Sequence, residues 1–299
     1  MKTPSLFTLA ATAALITSAS ASVTIDWVTV GNAGNAADTT GYGAVGYEYQ
    51  IGKYEVTNAQ YAEFLNAKAS TDSYGLYNTS MLSYGITRSG SSGSYTYSMT
   101  AALANRPVVL VSWFDAARFS NWLANGQGSG DTETGSYTLN GATSGIITAN
   151  VGATVYIPTE DEWYKAAYYN GTNSTYSLYP NGQNSITTDD ANYGYSVGTS
   201  SDVGTYSGDP SFYGTFDQGG NVWEWNDAVI GSSRGLRGSA WVDFVGGGGD
   251  SGLASSSRNS FAPSNETSTF GFRLASVPEP SAMVLTMLAS GVMLTRRKR

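Results

Sequence analysis

The chain reads as a single domain of mixed helix and strand with much irregular connecting structure, set between two processing segments. Three observations predict this. Short capping boxes at three places are each followed by apolar residues at helical spacing. Short apolar runs at four other places have strand length. Between them lie long tracts rich in Gly, Ser, Thr, Tyr and Asn without a helical period.

The order along the chain supports each part. Lys2, an apolar run from Leu6 to Ile16 and the small-residue site Ala19-Ser20-Ala21 predict a secretory signal peptide over residues 1–21, cut near Ala21–Ser22. A run of about a dozen apolar residues is too short to span a bilayer. Tyr47 to Tyr54 is the first strand candidate. Thr57-Asn58-Ala59-Gln60 opens the first helix, with Tyr61, Phe64, Leu65 and Lys68 behind it. Tyr74 to Tyr97 reads as a long hairpin or loop, and Val108 to Val111 as a second strand. Ser112-Trp113-Phe114-Asp115 opens the second helix; Phe119, Trp122 and Leu123 give its inner face, and Asn125-Gly126 stops it. Gly126 to Gly152 again lacks helical pattern. Ala153 to Ile157 is a third strand candidate, and Thr159-Glu160-Asp161-Glu162 opens the third helix, with Trp163, Ala166 and Ala167 inward. Gly271 to Ala275 is the last strand candidate. Beyond it come Val277-Pro278-Glu279-Pro280, an apolar run from Ala282 to Leu294, and Arg296, Arg297, Lys298 and Arg299. That end reads as a membrane stop with its positive side in the cytoplasm.

Composition narrows the function classes. Removing Lys2 and the four terminal basic residues leaves 10 positive charges, and removing Glu279 leaves 22 negative ones, so residues 22–276 carry a net charge of −12. Such a surface argues against nucleic acid, which needs basic stripes. The chain has no cysteine and no histidine. Disulfides, Cys or His nucleophiles, Ser-His-Asp triads and metal sites built from nitrogen or sulfur ligands are thereby excluded. Hard cations with oxygen ligands remain open.

Several blocks then fall in a familiar order: Ile51-Gly52-Lys53-Tyr54-Glu55-Val56-Thr57-Asn58 with Tyr61 and Phe64; Arg106-Pro107-Val108 running into Val111-Ser112-Trp113; Ile157-Pro158-Thr159-Glu160 with Glu162-Trp163; Gly220-Asn221-Val222-Trp223-Glu224-Trp225; Leu236-Arg237-Gly238 with Trp241; Arg258-Asn259; and Gly271-Phe272-Arg273. Together they resemble the formylglycine-generating enzyme family, also called the sulfatase-modifying factor family, over about Tyr47 to Ala275. The resemblance implies an α+β domain related to C-type lectins, spanning residues 22–276 here. It also implies oxidation of a sulfatase cysteine to formylglycine by two cysteines that bind copper. Those positions match Asp243 and Gly248, neither of which is a thiol, so the oxidase centre is absent and copper is not expected. Ser239 and Ala240 also stand where the family usually has Gly and Ser. The tail, residues 277–299, resembles the PEP-CTERM sorting signal, which implies an exosortase-type processing partner, transient anchoring in the inner membrane through residues 282–294, and a final place at the cell surface or in the extracellular matrix.

One glutamate stands between two tryptophans, Trp223-Glu224-Trp225. Either a cation or backbone N–H groups in a dry turn would account for it. The resemblance implies a structural calcium there, held by the Asp217 carboxylate, the Gly220 and Val222 carbonyls and Glu224. It implies a second calcium at the Asn192 side chain and the Tyr193 carbonyl. Other charges have plainer readings: Glu160, Asp161 and Glu162 favour a helix N-terminus, and Arg258 and Arg273 read as buried ion-pair partners. The leading functional expectation is an exported, non-catalytic, calcium-stabilised domain that binds a glycan, a matrix polymer or a protein outside the cell. A carboxylate-based glycoside hydrolase using Asp243 and Asp250 is the alternative from another class; residual formylglycine-generating activity is a third.

Overall fold

The computed structural model describes residues 22–244 and 252–277; the expected leader, the tail, Gly248 and Asp250 lie outside them. Each capping box opens an α-helix: α1 over Asn58–Lys68, α2 over Trp113–Ala124 and α3 over Glu160–Tyr168. The N-cap side chains of Thr57, Ser112 and Thr159 accept from the third helical N–H, while Gln60, Asp115 and Glu162 accept from the N-cap N–H in return. Asn125 caps the end of α2 and Gly126 follows at φ +81°.

Strand β1 (Trp27–Val30), β2 (Tyr49–Gly52), the hairpin of β3 (Ile86–Ser89) with β4 (Thr96–Met99), and β5 (Val155–Tyr156) precede α3. After it come the two-residue pair β6 (Tyr169–Asn170) and β7 (Thr175–Tyr176), then β8 (Trp223–Ile230), β9 (Ser233–Arg237), β10 (Asn259–Phe261), β11 (Phe270–Gly271) and β12 (Ala275–Ser276). One sheet runs β1-β2-β12-β5, all antiparallel, with Ile51 opposite Val28 on one side and Ala275 on the other. The other runs β10-β9-β8-β11, and β11 lies parallel to β8.

Two strand expectations need correction. Val108 to Val111 is buried but forms no strand, because Leu110 turns to φ +61° and sends its N–H to Thr267 O at 2.9 Å. Gly271 to Ala275 is split between β11 and β12, and the intervening residues leave the ladder so that Arg273 can point into the interior. The Tyr74 to Tyr97 segment contains the expected hairpin and also a 3-10 turn over Thr79–Tyr84.

The main core is aromatic. Phe64 of α1 meets Phe119 of α2 edge-on at 5.3 Å, and Phe119 meets Phe272 at 5.6 Å. Around this core the irregular chain must satisfy its buried backbone groups without ladders. Helix-borne amides do so. Asn121 donates to Thr132 O and Tyr137 O and accepts from Tyr137 N–H. Asn58 donates to Tyr84 O and Leu103 O. Asn66 both donates to Tyr97 O and accepts from its N–H.

An ion pair joins the two sheets. The guanidinium of Arg273, between β11 and β12, donates from Nε to Glu224 Oε2 at 2.6 Å and from Nη2 to Glu224 Oε1 at 2.6 Å. Its remaining donors reach Gly52 O, Lys53 O and Phe216 O. Both side chains are wholly buried. Trp163 of α3 adds a third bond, from Nε1 to Glu224 Oε2 at 2.7 Å.

Two predictions follow from this architecture. Arg273→Met strands a buried carboxylate and is expected to cost about 3–5 kcal/mol, read as a lower urea midpoint; a loss under about 1 kcal/mol would show that the pair is not the central cross-link. Burial raises the Asp115 carboxyl from 3.8 to about 7. A raised acid contributes stability that is full below its unfolded value and is lost as pH rises through the folded one. Stability is therefore expected to fall between about pH 4 and 7 by up to about 1.4 kcal/mol per pH unit from this group, and Asp115→Asn should remove that part of the slope in denaturant titrations.

Candidate functional site

The segment from Phe216 to Trp225 is positioned by two tight approaches. Gly220 sits at φ +82°, and a Cβ there would lie 2.3 Å from Asn192 O. Gly238 sits at φ +100°, with Gln218 O 2.9 Å from where its Cβ would be. These close contacts seat the Gln218–Val222 turn on the Asn192 loop: Asn221 N–H donates to Asn192 O at 2.8 Å, and Gly220 N–H to Gly238 O at 2.8 Å. Residue 220 accordingly needs glycine for both its dihedral and its space.

Asn221, which the sequence reading used only as part of a motif, is the hub. It adopts φ +57°. Its Oδ1 accepts from Ser201 N–H at 2.9 Å and its Nδ2 donates to Glu55 Oε1 at 3.0 Å. Its carbonyl accepts from Trp241 N–H at 3.0 Å. Glu55 was also missed as a site residue. Its other oxygen, Oε2, is buried without a hydrogen-bond partner and stands 4.0 Å from Arg273 Nη2. Burial, then the nearby Asp217 charge, hold the Glu55 carboxyl well above the usual carboxylate range. Neither role carried a signal in the sequence, because the two residues meet across 166 positions.

The structure places the expected calcium ligands as follows. Glu224 is 0 % exposed and its two oxygens take the three bonds from Arg273 and Trp163. The positive charge between the tryptophans is thus a guanidinium. Arg273 and Trp163 therefore already supply three donors to this carboxylate, two of them on Oε2. Asp217, at φ +61°, accepts from Gly204 N–H at 2.6 Å, and burial pushes its carboxyl up to about 6. Asn192 is different. Its Nδ2 donates to Thr199 O at 2.8 Å, but its Oδ1 is buried and has no partner among the described residues. Tyr193 O accepts from Ser196 N–H at 3.1 Å and keeps a second lone pair. An unpartnered buried amide oxygen beside a carbonyl fits one side of a hard-cation shell. Among the described residues no group of three or more carboxylates is placed to hold a metal ion.

Asp243, which the family resemblance matches to a cysteine, is a structural acceptor. Its Oδ2 accepts from Trp223 Nε1 at 2.8 Å, Ser239 Oγ at 2.9 Å and Ala240 N–H at 2.9 Å. Its carbonyl accepts from Gly194 N–H at 2.7 Å, and Tyr195 N–H donates to Trp241 O at 2.8 Å. These two backbone bonds tie the Gly194–Tyr195 turn to the Trp241–Phe244 turn. The result is an aromatic trio at the surface: Tyr195 is 53 % and Phe244 66 % exposed. Tyr195 meets Trp241 edge-on at 5.4 Å and Phe244 at 5.6 Å.

The acids that open α3 each have a separate partner. Glu160 bridges Arg237 at 2.8 Å and Arg258 at 2.5 Å. Asp161 accepts from Gly43 N–H, and Glu162 from the hydroxyls of Tyr47 and Tyr156. The ion-pair reading of Arg258 and Arg273 holds, although the Arg258 side chain is 33 % exposed.

The chain is similar to the solved structure of CarF at 24% identity, covering 86% of this chain and 99% of that one with a TM-score of 0.58. It is similar to Treponema denticola variable protein 1 at 22% identity, covering 87% and 98% with a TM-score of 0.57. At these identities the likeness shows the shared fold. No curated protein matches the chain. Residues 29–277 match the family model of the sulfatase-modifying factor enzyme 1-like domain, which takes in all three helices, the Asn221 hub and every strand except the first two residues of β1. The chain belongs to the sulfatase-modifying factor enzyme 1-like family.

Proposed function

We propose that this is an exported, non-catalytic member of its family that binds a glycan on the outside of the cell. The observation that carries the reading is the trio Tyr195, Trp241 and Phe244, held on two tied turns, one of which carries Asp243, the residue that the family resemblance matches to its first cysteine. Clustered rings of which two are exposed offer the apolar faces of sugar rings a stacking surface, and Tyr195 adds a hydroxyl. The chain itself has neither cysteine nor histidine. Copper–thiolate chemistry therefore has no ligands here. Export and the sorting tail follow from the two ends of the sequence, and an exosortase-type enzyme is the proposed partner for the tail. A matrix polymer or a protein would be an outcome of the same binding test.

The hydrolase alternative draws on Asp243. Three donors on one of its oxygens mark it as the peg of its turn, which argues for a structural role over that of a general base. Calcium belongs to the proposal at Asn192 and Tyr193, where the unpartnered Oδ1 supports it. There it would supply charge and cross-link the Asn192 loop to its neighbours, without touching the ligand. The Asp217, Gly220, Val222 and Glu224 set is proposed as the weaker of the two, because Arg273 already holds Glu224.

Glycan-array binding by the purified protein is expected to drop roughly tenfold or more in Trp241→Ala, in line with the loss of an aromatic anchor, while the unfolding midpoint stays near that of the parent. Equal binding by parent and variant would remove the trio from recognition. Millimolar calcium is expected to raise the thermal midpoint, and Asn192→Ala to abolish most of that rise; an unchanged calcium response in the variant would place the ion elsewhere.

A further inference from the structure

The fold takes hold of the chain close to the expected cut. Val23 N–H donates to Gln127 Oε1 at 2.7 Å, and Gln127 Nε2 donates back to Val23 O at 2.8 Å. One amide thus clamps both backbone groups of one residue. Gln60 of α1 donates to Thr24 O at 2.9 Å. The Val23 side chain is 7 % exposed and packs in the main core. Gln127 is itself fixed in the turn after α2, at φ +65°, by its N–H to Trp122 O at 2.8 Å and by Gly130 N–H to its own carbonyl at 2.7 Å.

Ser22, one residue earlier, lines a cavity of about 200 Å³ together with Glu63, Trp122 and Gln127. Glu63 is half-buried on α1, and among the described residues its carboxylate has no hydrogen bond or ion pair. The charged neighbour on the same stretch of helix, Lys68, is turned to Ser129 O at 3.3 Å. The cavity therefore combines an unused negative charge, an indole and the position where a new chain end would form.

We propose that this cavity is the docking site for the α-ammonium group that leader removal creates on Ser22; the inference rests on the export reading above. Hydrolysis of the Ala21–Ser22 bond leaves the oxygen of water on the Ala21 carboxylate and both its protons on the Ser22 nitrogen. A neutral peptide N–H is thereby replaced by an ammonium, protonated below about pH 8. That ammonium has a carboxylate to pair with and an indole to lie against. The clamp on Val23 presets its position, so little chain entropy is lost on docking. Processing then does more than release the protein: it supplies the last ionic contact of α1 and α2, and the precursor lacks that contact while it is still being translocated.

The test has two parts. Protein exported and processed by a bacterial host is recovered and its intact mass read; the expected N-terminus is Ser22, and any other start overturns the proposal. Urea stability is then compared for chains that begin at Ser22, at Ser22 with the amine acetylated, and at Ala21, which moves the charge outward by about 3.5 Å. Each is made in the parent and in Glu63→Gln. Acetylation and extension are each expected to shift the unfolding equilibrium about two- to fivefold in the parent, the range of a partly exposed ion pair, and to have no effect in Glu63→Gln. Equal shifts in both backgrounds, or none in either, overturn the docking. The mass reports on export and the coupling reports on the site, so the two readings fail separately.

Discussion

Glu224 and Arg273 face each other with neither side chain exposed to solvent. Placing two charges in such a setting carries a desolvation cost that their attraction offsets only with good geometry and with every other donor and acceptor satisfied. Here the guanidinium spans both oxygens of one carboxylate and places further donors on three backbone carbonyls. Those carbonyls belong to the end of β2 and the start of the Phe216–Trp225 segment. The pair consequently ties the first sheet, the second sheet and, through Trp163, α3 to one point. Everything that the surface turns display is referenced to it.

Most of the chain outside that point has no ladder to hold it. The domain has no disulfide to compensate, since it has no cysteine. Its solution is to use side-chain amides as surrogate strands. Asn58 and Asn121 each bond loop backbone in two places, Asn66 pairs with the open edge of β4 at Tyr97, Asn221 joins Ser201 to Glu55, and Gln127 holds the chain start. An amide carries a donor and an acceptor on one rigid plane, which is what a missing neighbour strand would have offered. Long irregular segments remain compact in this way while staying free to vary at their tips.

The surface that results places aromatic rings over the turn of Asp243, where the family resemblance sets a cysteine. Asp243 illustrates the exchange. A carboxylate in that place cannot bind a soft metal as a thiolate does, and it instead gathers three hydrogen bonds that stiffen the turn beneath Trp241 and Phe244. Rigid presentation of a few rings favours recognition because little side-chain freedom is lost on binding.

The sequence by itself determined the local features. The three capping boxes are local hydrogen-bond patterns within four residues, so Thr57, Ser112 and Thr159 could be read directly as helix starts. The family fold was legible from blocks that keep their order, and the absence of thiols and imidazoles from composition alone. Other features depended on residues far apart. Arg273 meets Glu224 across 49 positions, and Glu55 meets Asn221 across 166; no periodicity or spacing encodes such partners. The strand expected at Val108 to Val111 failed for the same reason, because the Leu110 N–H is drawn to Thr267, far along the chain, and the backbone turns to reach it. Charge, capping and composition act within a turn or two of chain, whereas the neutralisation of a buried acid is settled by whichever distant cation the packed fold brings to it.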